Sequence, residues 1–126
     1  MTYKSQVALF LAKAKELLQQ NRYILVPREK NMKALARLGW NESRLMDFLM
    51  GLSTDNYSSG PEEDRDCPPE EVWVFGHEID GAEYYIKLKI RLEAEELLCI
   101  SFHEAERPLN TLFEGGMRYD EVLSYV

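Results

Sequence analysis

The segment Tyr84-Tyr85-Ile86-Lys87-Leu88-Lys89-Ile90-Arg91 alternates apolar and polar residues. Successive side chains of a strand point to opposite faces, so Tyr84, Ile86, Leu88 and Ile90 form a face suited to burial. Tyr85, Lys87, Lys89 and Arg91 then share the other face. Strict alternation in Leu97 to His103 sends Leu98, Ile100 and Phe102 to the core, and Cys99, Ser101 and His103 outward. If these strands pair, one open face gathers tyrosine, lysine, arginine and histidine. Such a row suits phosphodiester cleavage in RNA, which carries its own nucleophile, the 2′-hydroxyl. The reaction needs a group to take that proton, a cation to stabilise the phosphorane, and an acid to protonate the departing 5′-oxygen. Histidine fits the acid or base role because its pKa lies near neutrality. Lysine and arginine fit the phosphate, and tyrosine can donate a hydrogen bond or stack on a base. No step requires a metal. The same row also reads as the solvated face of a half-exposed sheet, and a lone histidine at a strand end is commonly structural.

Other chemistries find less support. His77 and His103 are isolated, and Cys67 and Cys99 lie in unlike surroundings, one acidic and Pro-rich, the other apolar. Neither a zinc pattern nor a disulfide framework follows. There is no glycine-rich phosphate loop, and the run Glu62-Glu63-Asp64-Arg65-Asp66 lacks the spacing and glycine of a calcium loop. No metal or cofactor is expected. The net charge of −7 is unusual for a nucleic-acid binder, so positive charge must be concentrated locally. No apolar run approaches the roughly 20 residues that span a bilayer, and Lys13, Lys15 and Glu16 break the N-terminal stretch as no signal peptide would. A cytoplasmic protein without membrane contact is expected.

The elements that must position the row come from periodicity. Val7, Phe10, Leu11, Ala14, Leu17 and Leu18 fall on one stripe, predicting a helix over 4–20 that Asn21 ends. Tyr23 to Val26, before Pro27, reads as a short strand. A second helix is suggested by Met32, Leu35 and Ala36, with Asn31 as its N-cap and Gly39 as its stop; a third begins at Asn41 and carries Leu45, Phe48, Leu49 and Leu52. The turn- and charge-rich stretch from Thr54 to Pro69 reads as a loop. Three strands follow, around Val72–Phe75, Tyr84–Ile90 and Leu97–His103, joined by Ile79-Asp80-Gly81 and Glu93-Ala94-Glu95-Glu96. With 126 residues the expectation is one domain, 1–126, of the α+β class, its helices on one face of a small antiparallel sheet. Residues 114–126 form a tail in which Tyr119, Val122, Leu123 and Val126 have helical spacing, with core packing the expected role.

Leu38-Gly39, Gly51-Leu52-Ser53-Thr54-Asp55-Asn56-Tyr57, Trp73, Tyr85-Ile86-Lys87-Leu88 and Ile100-Ser101-Phe102-His103 stand in an order that resembles the MqsR family of toxin–antitoxin toxins. The resemblance implies a RelE-like fold and a ribosome-independent, metal-independent endoribonuclease that acts on mRNA and is neutralised by a partner antitoxin, while the net charge of −7 leaves a ribosome-bound substrate open, as in other members of that fold. It implies Tyr85 as an active-site tyrosine and places His103 where the best-known member has a catalytic lysine. Tyr85, Lys87 and His103 are thus the expected catalytic centre. Tyr57 and Arg65 are expected to approach from the loop, joining Lys89 and Arg91 in binding RNA. Ser58 and Val74 depart from the family's lysine and glutamine, and Arg65 or Lys87 is the expected replacement for the missing cation. The competing readings are a non-catalytic interaction module and a ribosome binder that blocks translation without cutting RNA.

Overall fold

The computed structural model describes residues 2–109. The tail at 114–126 lies outside them, and with it the expectations placed on Leu123 and Val126. Three helices, α1 (Lys4–Gln19), α2 (Glu29–Leu38) and α3 (Glu42–Met50), precede most of a five-stranded sheet. Its strands are β1 (Tyr23–Leu25), β2 (Tyr57–Glu63), β3 (Glu71–Ile79), β4 (Ala82–Arg91) and β5 (Glu96–Glu104), in the order β1-β5-β4-β3-β2. The fold is α+β as expected. The sheet is mixed rather than wholly antiparallel, because β1 runs parallel to β5.

Helices and sheet meet along an apolar layer. Val7, Leu11, Ala14, Leu17 and Leu18 of α1 are buried, as are Leu45 and Leu49 of α3. They cover Trp73, Phe75, Ile86, Leu88 and Phe102. Phe10 stacks on Trp73, with centroids 4.8 Å apart, while Trp40 stacks on Phe102 and Phe48 meets it edge-on. Asn41 caps α3 through an Oδ1 that accepts from the Arg44 N–H at 2.8 Å. Asp80 and Gly81, at φ 50° and 81°, make the tight turn between β3 and β4, a conformation that suits Asp-Gly because both central residues need positive φ.

Three local expectations change. The stretch after Thr54 is not all loop: a short 3-10 turn, Thr54–Asn56, leads into β2, an edge strand paired irregularly with β3. Ser58-Ser59-Gly60-Pro61 lacks alternation, and an edge position is where proline is tolerated within a sheet. Gly60, at φ 109°, lies so close to β3 that a Cβ would sit 2.7 Å from the Val72 carbonyl oxygen. In α2 the buried positions are Asn31, Ala34 and Leu35, whereas Met32 and Ala36 face solvent. Arg28 is the N-cap residue, so Asn31 is inside the helix and not its cap.

The third change concerns β5. Lys87 pairs with Ser101 but Leu88 pairs with Cys99, so Ile100 is an extra residue in the ladder. This bulge reverses the alternation. Before it, Leu97 and Cys99 face the core; after it, Phe102 does. Leu98 and Ile100 are therefore only half-buried, and Cys99 is not on the open face. Ser101 and His103 keep the outward phase because they follow the bulge.

Candidate functional site

The open face of the sheet is organised in rungs. Gly76, Tyr85 and His103 lie in register across β3, β4 and β5, and Val74, Lys87 and Ser101 form the neighbouring rung. The Tyr85 and His103 rings stack, centroids 5.5 Å apart and 24° from parallel. A ring nitrogen facing a carbonyl must carry the hydrogen. His103 Nδ1, 2.9 Å from the Glu104 carbonyl oxygen, is therefore the donor. In the neutral ring that leaves Nε2 as the proton acceptor. Burial pushes the Tyr85 phenol above its ordinary pKa, and the Glu62 carboxylate adds to this while Arg28 opposes it. Tyr85 is therefore a phenol, a hydrogen-bond donor, at neutral pH.

Tyr85, Lys87 and His103 line a cleft of about 380 Å³ together with Arg28, Ser101 and residues 106–109, which turn back over the sheet after β5. The turn is held by the Ala105 N–H on the Glu83 carbonyl, at 2.8 Å, and by the Leu109 N–H on the Glu83 carboxylate, at 2.7 Å. Leu109 lies over Gly76, where a Cβ would meet its Cδ1 at 2.9 Å. A larger groove, about 780 Å³, runs beside the same segment, but Asp55, Glu78, Glu83 and Glu104 are among its walls. Its charge repels phosphate. Arg107 borders both, but Arg28 and Lys87 line only the smaller cleft.

The structure brings Tyr85, Lys87 and His103 together, and sorts the other expected residues differently. Lys89 leaves β4 on the open face but is only 8% exposed. Its ammonium is 2.5 Å from Asp64 and 3.0 Å from Glu70. Burial alone would lower its pKa, but the hydrogen bonds to the two carboxylates outweigh this and raise it. A lysine so neutralised fastens the turn between β2 and β3 to the sheet and offers no charge to RNA. Arg91 is exposed and pairs with Glu96 at 2.8 Å, away from the cleft. Tyr57, 3% exposed, is in the core, edge-on to Trp73 and Phe75, and its hydroxyl donates to the Gly60 carbonyl. Its expected place beside RNA is corrected by that burial. Arg65 is exposed on the turn after β2 and does not line the cleft.

Arg28 is the residue that the sequence reading missed. Its backbone N–H donates to the Val26 carbonyl at 2.8 Å, and its guanidinium donates to Ser101 Oγ at 3.0 Å. The only signal in the chain is its place, directly after Pro27 at the head of a helix. Nothing in that spacing indicates which strand the side chain reaches.

Among the described residues, no group of three or more His, Cys, Asp or Glu side chains is arranged to hold a metal ion. No helix among them is long and apolar enough to cross a membrane. No curated protein matches the chain. A family model does, described as motility quorum-sensing regulator, toxin of MqsA, and it spans residues 7–104. That span runs from the first buried turn of α1 to the end of β5 and contains Arg28, Tyr85, Lys87, Ser101 and His103. The chain belongs to the MqsR family of toxin–antitoxin toxins.

Proposed function

We propose that the protein is an endoribonuclease toxin that cuts mRNA in the cytoplasm without a metal and is neutralised by direct binding of a cognate antitoxin. The observation that carries the reading is the rung pairing of Tyr85 with His103, their rings stacked, with Lys87 one rung away on the same cleft. In this mechanism His103 Nε2 takes the proton from the 2′-hydroxyl. The 2′-oxygen bonds to phosphorus and the bond to the 5′-oxygen breaks. Lys87 stabilises the added charge on the phosphorane oxygens, and the Tyr85 phenol gives its proton to the departing 5′-oxygen, while His103 holds the proton taken from the 2′-hydroxyl. The products are a 2′,3′-cyclic phosphate and a 5′-hydroxyl. The family's lysine and glutamine positions are Ser58 and Val74 here. Val74 stands in register with Lys87, which makes Lys87 the cation best placed to act in their stead.

Purified protein incubated with unstructured single-stranded RNA and excess chelator is expected to yield fragments with those ends. His103→Ala is expected to slow cleavage by ~10²–10⁴-fold, the usual range for a proton-transfer residue. Controlled expression gives the cellular counterpart. Growth arrest with intact transcripts would reject the nuclease in favour of a ribosome blocker, and absence of arrest would favour a non-catalytic interaction module.

A further inference from the structure

Of the fourteen lysines and arginines among the described residues, six are committed. Lys13, Lys30, Lys33, Arg37, Lys89 and Arg91 each form an ion pair. Arg28, Lys87 and Arg107 form none among the described residues, and all three line the cleft that holds Tyr85 and His103. In a chain of net charge −7, three cations without ion pairs around one cleft, with Glu106 as its one carboxylate, make it a place where an anion is attracted.

Arg28 differs from the other two in how it is held. The parallel pairing of β1 with β5 brings the chain past the bulge at Ile100, and the Val26 N–H donates to the Cys99 carbonyl at 3.0 Å. The Arg28 carbonyl accepts from the Met32 N–H at 3.0 Å, so the backbone is fixed on both sides of the residue. Ser101, 2% exposed, anchors one guanidinium nitrogen. A guanidinium has five N–H donors in a rigid fork, so one bond to serine leaves enough to grip a phosphate with two parallel bonds.

We propose that Arg28 is a phosphate-binding catalytic residue, gripping the non-bridging oxygens of the scissile phosphate, and that Ser101 is a positioning residue that aims it. Ser101 stands in register with Lys87, so the guanidinium held at β5 and the ammonium on β4 approach the phosphate side by side. The inference rests on the RNA-cleaving reading and names the second cation of that site.

The test uses the full chain in four forms: wild type, Arg28→Ala, Ser101→Ala and the double variant, with Arg28→Lys beside them. Arg28 makes no side-chain capping bond to α2 and its loss deprives only the Ser101 hydroxyl of a partner, so the variant is expected to stay folded with a melt lowered by a few degrees at most. Cleavage of a single-stranded oligoribonucleotide should fall by ~10²-fold or more in Arg28→Ala, the loss typical of one preorganised charge-stabilising donor, and Arg28→Lys should recover part of it. Ser101→Ala should lower kcat more than it raises KM, and the double variant should be no slower than Arg28→Ala, because a serine that acts through arginine has nothing left to aim. Binding of DNA of the same sequence, which lacks the 2′-hydroxyl, should show a log Kd versus log salt slope smaller by ~0.7 in Arg28→Ala, one phosphate contact on a single strand. Wild-type cleavage by Arg28→Ala overturns the role of Arg28, and full additivity overturns that of Ser101. A wild type that binds the oligonucleotide but leaves the RNA intact overturns the nuclease reading itself, and this assignment with it.

Discussion

In the proposed reaction, His103 would accept a proton and Tyr85 would give one, on either side of one phosphate. The carbonyl of Glu104 fixes the histidine tautomer and bares Nε2, while burial keeps the tyrosine a phenol. A base and an acid on adjacent strands, with stacked rings, are a workable pair for transfer through phosphorus. The phenol gives a directional prediction. Because burial and Glu62 raise its pKa from 10.0, the phenolate absorbance that disappears in Tyr85→Phe should have its midpoint above pH 10, as should the alkaline loss of cleavage due to this residue. A phenol titrating below that value would remove the assignment of Tyr85 as proton donor. Tyr85→Phe keeps the ring against His103 and deletes the hydroxyl, and cleavage is expected to fall by ~10²-fold with little change in melting temperature. Tyr85, Lys87 and His103 were legible because each lies in a phase that alternation reports correctly. Arg28 was not, since its part depends on a parallel pairing between strands more than 70 residues apart.

At the scale of elements, the decisive piece is the bulge in β5 and its fastening to α2. Asn31 is fully buried, and its amide donates to the carbonyls of Val26, at 2.8 Å, and Ile100, at 2.9 Å. Its Oδ1 accepts from the Phe102 N–H at 2.9 Å. One side chain thus ties the residue after β1 to the extra residue itself and to Phe102 beyond it, holding the phase in which Ser101 and His103 reach the cleft. Helical spacing alone made Asn31 look like a cap, because a polar residue near a helix start usually is one. The same blindness put Leu98 in the core and Cys99 outside, whereas burial among apolar groups pushes the Cys99 thiol up to about 12. Asn31→Ala should cost about 2–4 kcal/mol in urea unfolding, since backbone groups of the bulge are left buried and unpaired. Cleavage should fall as well, even at temperatures where the variant is folded. A neutral result in both would mean that the bulge is set by strand pairing alone.

Lys89 makes a second fastening, from the turn after β2 to β4. Its hydrogen bond holds the carboxyl of Asp64 below the ordinary carboxylate range, and holds that of Glu70 there too, with help from the Leu92 N–H. A carboxylate whose folded pKa is depressed contributes stability that is present above its unfolded value and lost as pH falls through the folded one. Acidification below about pH 4 should therefore weaken the wild type through these two groups. In Lys89→Met the part due to the ammonium disappears, so the variant should be less stable at pH 7 and lose less stability from pH 5 to pH 2. Equal acid sensitivity of the two proteins would show that the triad does not set it. Sequence alternation placed Lys89 on the correct face but not beneath a turn, because a turn that reads as solvated gives no sign of covering anything.

The whole molecule sets a small cationic cleft against a global charge of −7. With Lys89 and Arg91 engaged by carboxylates, the cleft has three uncommitted cations among the described residues, Arg28, Lys87 and Arg107. Beside it lies the acidic groove, whose carboxylates would turn the proposed RNA strand toward the smaller path. Affinity for free RNA should accordingly be modest, and its salt dependence should count few phosphates. About three contacts on a single strand give a log Kd versus log salt slope of ~2 in magnitude. A measured slope of ~5 would require that Arg91, Arg65 or another cationic surface also meets the backbone, and would move the binding path away from the cleft. A slope of ~2 that falls stepwise on neutralising Arg28, Lys87 and Arg107 singly would place the strand between β4, β5 and the head of α2. An acidic protein can act on a polyanion on these terms, because the cleft has to hold only the few phosphates around the bond it cuts.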